Sequence, residues 1–127
     1  MIDSALVIEI HDLILSTEPG LAGDHGVGPI EGALARIENH IHYQDLDDVF
    51  EIAAMYAVAI ARGHVFNDAN KRTALVTALT YLALQGIELS REPFLEEIMV
   101  WVAEGVLDVE ELALIFYSIA KNEGLID

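Results

Sequence analysis

The hydrophobic positions of the chain recur every three or four residues, the spacing that places side chains on one face of an α-helix. Residues 45–62 are the clearest predicted helix, and in the first predicted helix Leu6, Ile10 and Leu13 form the apolar face. The predicted helices are residues 4–15 with Asp3 or Ser4 as cap, a helix that begins at Pro29, residues 45–62, a helix that ends at Gln85, a helix that begins near Pro93 and a helix capped by Asp108. No segment is rich in strand signals, so the pattern predicts an all-α fold, a compact single-domain bundle of about six helices.

Two segments interrupt the helical pattern. Residues 16–28 are rich in glycine and contain Pro19, which predicts a loop after the first helix. Three residues after the second helix break the spacing and are compatible with a short extended piece: Ile41, His42 and Tyr43. We expect His11 and His25 to be surface or loop residues.

Composition narrows the class of protein. The chain has 127 residues, and 54% of them are hydrophobic, which excludes a disordered tail. It has no cysteine, which excludes a disulfide scaffold and cysteine catalysis. Six basic and 22 acidic residues give a net charge of −16, which repels nucleic acid and anionic membranes. The acidic start and the short apolar runs do not resemble a signal peptide or a membrane span. We therefore expect one cytoplasmic domain over residues 1–127, without nucleic-acid or membrane partners.

Half of the basic residues lie at one junction between two predicted helices: Arg62, Lys71 and Arg72. Cations in the first turn of a helix oppose its dipole, so Lys71 and Arg72 do not serve helix stability there. The unpaired N–H groups at a helix start bind anions, and the added cations favour a polyanion such as a nucleotide phosphate. The alternative is that these cations pair with some of the many carboxylates.

Four other residues of the junction carry candidate chemistry. Asp68 is a short carboxylate suited to holding Mg²⁺ beside phosphates, and His64 can accept a proton near neutral pH as a general base. Asn70 can cap the helix or bind phosphate, and we expect Phe66 to be the buried anchor of the loop. Each of these residues alone has a plainer explanation as a cap or a surface side chain. Together with two cations they favour phosphoryl or nucleotidyl transfer.

Residues 64–72 read His-Val-Phe-Asn-Asp-Ala-Asn-Lys-Arg, and this run resembles the signature of the Fic/Doc family. It follows the Doc branch at the three places that distinguish it from typical Fic proteins, with Val65 for proline, Ala69 for the first glycine and Lys71 for the second. The similarity includes the early His11-Asp12 pair and extends over essentially the whole chain. It implies a compact all-α Fic/Doc domain.

The resemblance also implies an activity, that of the toxin in a toxin–antitoxin module. Such a toxin is a protein kinase that transfers the γ-phosphate of ATP to a threonine of elongation factor Tu and stops translation. By position, His64 is then the base on the target hydroxyl and Asp68 is the Mg²⁺ ligand. Asn70, Lys71 and Arg72 hold the ATP phosphates and the charge that develops during transfer.

The chain departs from the family pattern at two positions. The second arginine of the Fic signature falls at Leu75, and an asparagine of the Doc branch is replaced by Val76. Arg62 can supply charge to the nucleotide site or form a surface ion pair. In the family, a flap before the motif helix aligns the protein substrate as an added strand, and residues 41–43 lie about where that flap is expected.

The family resemblance also concerns inhibition and partners. Many Fic proteins carry an inhibitory helix, but the nearest run here, residues 118–124, is one residue too long. A separate antitoxin is therefore implied, for this branch Phd, whose C-terminal segment folds on binding. The net charge of −16 predicts that this segment is basic, or amphipathic with basic flanks.

Two other functions remain open. One is a Fic-type AMP transferase that modifies a protein hydroxyl, which Lys71 at a glycine position disfavours. The other is a catalytically silent module that acts only by binding partners, which the intact candidate residues disfavour.

Overall fold

The computed structural model describes residues 2–127; Met1, the first residue of the predicted domain, lies outside the described residues. Residues 2–127 contain six helices: α1 (Ser4–Thr17), α2 (Val27–Gln44), α3 (Val49–Arg62), α4 (Asn70–Leu84), α5 (Pro93–Ala103) and α6 (Val109–Asn122). Within this range no strand is formed, and an isolated antiparallel bridge joins Asp24 to Phe66. The predicted all-α fold of about six helices is confirmed. None of these helices is both long and apolar enough to cross a membrane.

Aspartate side chains begin three of the helices. The Asp3 carboxylate accepts a hydrogen bond from the Leu6 amide at 2.9 Å, and Asp48 accepts from the first amides of α3. Asp108 takes part in a capping box at the start of α6. The predicted caps Asp3 and Asp108 are therefore confirmed. Because Asp48 is the cap, α3 begins at Val49 rather than at residue 45.

The predicted interruption at residues 41–43 is wrong, because α2 continues through them to its end. Ile41 lies one turn beyond Ile37 and packs against the hydrophobic core. This burial outweighs the weaker helix propensity of the β-branched and aromatic residues in the segment. The two residues that follow Ile41 are exposed on the last turn of the helix.

Helix α3 lies at the centre of the bundle and packs against α2, α4, α5 and α6. Its residues Ala53, Ala54 and Ala57 are fully buried, and so are Ala74 and Ala78 of α4. Because alanine has no atoms beyond Cβ, these positions let α3 and α4 approach the elements packed against them closely. The two helices pack against each other and are joined by the loop of residues 64–69.

Helix α1 packs against α4, but its buried face differs from the predicted one. Val7 and Ile14 are buried, whereas Leu13, predicted to face the core, is 60% exposed. His11 lies on the buried face one turn after Val7 and is only 1% exposed. The prediction that His11 is a surface or loop residue is therefore wrong, while His25 is exposed in the loop between α1 and α2 as expected.

Candidate active site

Residues 64–69 form the loop that joins α3 to α4 and carries the candidates His64, Phe66 and Asp68. Two of its non-glycine residues have left-handed backbone conformations, His64 with φ 49° and Ala69 with φ 66°. Such conformations cost about 1–2 kcal/mol for a residue with a Cβ atom, so surrounding contacts must hold them. Phe66 is 2% exposed and anchors the loop in the core, as the sequence predicted.

Asn70 closes this loop on itself. Its side-chain oxygen accepts a hydrogen bond from the Phe66 N–H, and its amide nitrogen donates to the Phe66 carbonyl, both at 3.0 Å. The side chain thus satisfies both backbone polar groups of a buried residue. In the structure Asn70 is a clamp of the loop rather than a helix cap.

The N-terminus of α4 is open to an anion. Its N-cap residue is Ala69, and no side chain within residues 2–127 caps it, whereas α1 and α3 have aspartate caps. The first amide in the helical hydrogen-bond ladder is that of Thr73, bound to the Ala69 carbonyl at 2.9 Å. A cavity of about 250 Å³ lies there, lined by residues 67–72. Free helix N–H groups beside a cavity are suited to a phosphate group.

Asp68 faces the same cavity as an ionised carboxylate. Hydrogen bonds from the Leu21 and Ala69 amides, at 3.0 and 2.8 Å, lower its pKa, and the charges of Arg72 and Lys71 act in the same direction. The described residues contain no group of three or more His, Cys, Asp or Glu side chains placed to hold a metal ion. One carboxylate beside a phosphate site nevertheless fits Mg²⁺, which keeps several waters and binds phosphate oxygens.

His64 is available as a proton acceptor. Its side chain is exposed, and within the described part of the chain it has no hydrogen-bond partner. It follows Gly63, at which a Cβ atom would lie 2.6 Å from the Ala59 carbonyl oxygen. The turn that presents His64 at the end of α3 therefore requires glycine at position 63.

The two cations of the motif have different surroundings. Arg72 donates to the Pro19 carbonyl at 2.9 Å and lies 3.4 Å from the Glu18 carboxylate, so the ion-pair alternative is correct for Arg72. Glu18 is also bound by Arg91 at 2.7 and 3.1 Å, and this contact is the main reason why its pKa is lowered. Lys71 is exposed and has no ion-pair partner within residues 2–127. It is thus free to bind an anion.

The loop between α1 and α2 packs directly on the motif loop. The Asn67 amide donates to the Gly23 carbonyl and the His25 amide to the Val65 carbonyl, both at 3.0 Å. At Gly20 an added Cβ atom would lie 3.0 Å from the Asp68 carboxylate and 3.1 Å from the Arg72 guanidinium. The absence of a side chain at position 20 therefore lets this loop approach both functional groups.

His11 also reaches the motif loop, from α1. Its Nε2 atom lies 2.9 Å from the Asp68 carbonyl oxygen, and its ring stacks on that of Phe66 with centroids 3.8 Å apart. Sequence reasoning missed this contact. The available signal was the position of His11 one turn after Val7 on the apolar face of α1.

Arg62 and the proposed docking segment are not brought into this set. The Arg62 guanidinium donates to the carbonyls of Val102 and Leu107, where it caps the C-terminal end of α5. The cofactor-binding role predicted for Arg62 is not part of this arrangement, because two nitrogens of its guanidinium are bound at the end of α5. A strand-like docking flap formed by Ile41, His42 and Tyr43 is also wrong, because these residues are the last turns of α2.

Comparison with known proteins covers the segment that contains this loop. The model of the Fic/DOC family matches residues 1–82, which include α1, the motif loop and most of α4. The chain is 40% identical over 107 residues to the "Protein kinase doc" of Escherichia phage P1, and the match covers 84% of this chain and 85% of that protein. The chain belongs to the Fic/Doc family.

Proposed function

We propose that the protein is an ATP-dependent protein kinase of the Doc type, the toxin of a toxin–antitoxin module. It transfers the γ-phosphate of ATP to a threonine of elongation factor Tu and so inhibits translation. The observation that carries this proposal is the open, cationic N-terminus of α4 beside the Asp68 carboxylate, with an unpaired His64 on the same loop. The relative named as a protein kinase supports the choice of reaction.

The proposed reaction is an in-line phosphoryl transfer. His64 accepts the proton of the target hydroxyl, the hydroxyl oxygen bonds to the γ-phosphorus, and the bond from that phosphorus to the bridging oxygen breaks to release ADP. The free amides of the first α4 turn, Lys71 and Arg72 bind the phosphate oxygens and the charge that develops on them. Asp68 would hold Mg²⁺, which neutralises phosphate charge when bound.

Lys71 supports transfer of the terminal phosphate rather than of AMP. In Fic proteins that transfer AMP, glycine at this position lets the backbone approach the α- and β-phosphates closely. Here Lys71 is exposed in the first turn of α4 and carries a free ammonium group. A point charge at this position favours a different set of phosphate contacts.

The intact mass of elongation factor Tu after incubation with this protein and Mg·ATP tests the proposal. We expect the mass to increase by one phosphate. An increase by one AMP would replace the kinase with an AMP transferase, and an unchanged target would remove elongation factor Tu as the substrate. We expect H64A to abolish transfer, while H40A, a matched loss of an exposed histidine on α2, keeps it.

The protein substrate and the antitoxin are part of the same proposal. The exposed His42 and Tyr43 on the last turn of α2 contact the protein substrate, here as a helix end rather than as a strand. Residues 1–127 act as one domain in the cytoplasm. The single domain is supported by one core cluster, to which all helices from α1 to α6 contribute.

A Phd-like antitoxin binds the protein through a C-terminal segment that is basic, or amphipathic with basic flanks, because the net charge of −16 attracts it. We expect its Kd to rise with NaCl concentration in a binding titration, since salt screens attraction between exposed charges. A Kd independent of salt would contradict the electrostatic part of this proposal and leave the kinase assignment untouched.

A further inference from the structure

The buried histidine of α1 has no role in the transfer reaction described above. Within residues 2–127, His11 is the one buried side chain of the Asp, Glu, Lys, Arg and His types. Burial of a polar group destabilises the fold unless the group is hydrogen-bonded, so the partners of His11 indicate its role. Those partners are all in the loop of residues 64–69 or next to His11 itself.

The main partner of His11 is the backbone of the proposed metal ligand. Its Nε2 atom lies 2.9 Å from the Asp68 carbonyl oxygen, across 57 residues of sequence. Because a carbonyl oxygen can only accept, Nε2 carries the proton and donates it. The hydrogen bond fixes the peptide plane between Asp68 and Ala69, immediately before the left-handed backbone of Ala69.

The ring of His11 supplies a second contact. It stacks on Phe66 with a centroid distance of 3.8 Å and an interplanar angle of 5°. The backbone of Phe66 is held by Asn70 from α4, so α1 and α4 both fix the loop at Phe66. His11 thus sets the position of Asp68 relative to the first turn of α4.

We propose that His11 is a positioning residue, which acts through the Asp68 main chain to place the Asp68 carboxylate and the α4 amides for Mg·nucleotide. The inference rests on the proposed function, but it concerns binding as well as transfer. A left-handed residue persists only where its surroundings fix it. Loss of the Nε2 donor releases the Asp68 peptide, and the phosphate site then exists in only part of the population.

Two substitutions separate the hydrogen bond from the ring. H11F keeps a stacking ring and loses the donor, whereas H11Q keeps a donor near the end of the side chain and loses the ring. E9Q is the matched control, because Glu9 is an exposed carboxylate on the same helix and has no hydrogen bond or ion pair within residues 2–127. The probe is Mg²⁺ with the non-hydrolysable ATP analogue AMPPNP, titrated by calorimetry.

We expect H11F to weaken Mg·AMPPNP binding by about tenfold, the effect of one lost hydrogen bond that leaves a carbonyl unpaired. We expect H11Q to stay within about threefold of the wild type and E9Q to be unchanged. Amide hydrogen exchange of residues 66–70 should be faster in H11F, with α3 unaffected. H11F binding at the wild-type level, or equal losses in H11F and H11Q, would overturn the role of the donor.

A measurement on the wild type does not depend on how the variants fold. In ¹⁵N NMR spectra the His11 ring should show Nε2 protonated and protected from solvent exchange, and this signal should shift when Mg·AMPPNP is added. A rapidly exchanging ring proton, or one that does not respond to the ligand, would overturn the inference. The two proposals fail separately: wild type that binds Mg·AMPPNP but modifies no protein refutes the proposed function alone.

Discussion

Replacement of Asn70 by alanine tests whether this residue holds the loop together in the absence of any ligand. The substitution removes two hydrogen bonds of 3.0 Å and leaves the N–H and the carbonyl of buried Phe66 without partners. Each such bond contributes about 0.5–1.5 kcal/mol net, and partial access of water to the half-buried position 70 limits the added penalty. We therefore expect N70A to lower the free energy of unfolding by about 2 kcal/mol.

Urea denaturation followed by circular dichroism measures this change. The slope of the unfolding free energy against urea concentration stays unchanged if the denatured state is unaffected. The matched control is N67A, the same substitution in the same loop. The Asn67 side chain bonds to the Ala22 carbonyl and to His25, both at the exposed surface, so we expect a loss within about 1 kcal/mol. Equal stability of N70A and wild type would refute the clamp and restore a role for Asn70 in phosphate binding alone.

Three further substitutions test other parts of the site. Hydrogen bonds and charges of Arg91 and Arg72 lower the pKa of Glu18 from its usual value of 4.5. The ionised Glu18 carboxylate therefore stabilises the fold above pH 4.5, and this stabilisation is lost as the pH falls through the lowered pKa. E18Q should therefore flatten the acid side of the stability curve measured by urea denaturation, and a curve equal to wild type would contradict this. G20A should weaken Mg·AMPPNP binding about tenfold in calorimetry, because the new Cβ atom crowds Asp68 and Arg72, and unchanged affinity would show that the loop shifts freely. Y43A should raise KM for elongation factor Tu with kcat and unfolding unchanged, since Tyr43 is 82% exposed, and an unaltered KM would exclude this contact.

The features that sequence reasoning predicted correctly depend on neighbours along the chain. Asp3 and Asp108 cap helices because a short carboxylate can reach amides two or three residues later. The burial of Phe66 and the loop before α4 belong to the family signature itself. Helix number and class follow from the spacing of hydrophobic residues, as over residues 45–62.

The features that sequence reasoning missed depend on residues far apart in the chain. Ile41 continues α2 because the core supplies a partner for it, which propensity alone does not register. His11 contacts a residue 57 positions away, and Arg62 finds its partners 40 and 45 positions away in and after α5. The prediction for His11 was wrong because the predicted buried face of α1 included Leu13, whereas the observed buried face includes Val7 and His11.

The positive charge available to a ligand is set by which cations the fold has already neutralised. Arg62 is bound to carbonyls at the end of α5, and Arg91 is paired with Glu18 and Glu96. In the described part of the chain Lys71 has no hydrogen-bond or ion-pair partner. Arg72 shares Glu18 with Arg91, and Arg91 makes the shorter contact with it. An incoming phosphate therefore meets two weakly neutralised cations, Lys71 and Arg72, at the open end of α4. In a chain of net charge −16, these two cations make the helix start locally attractive to an anion although the surrounding charge is negative.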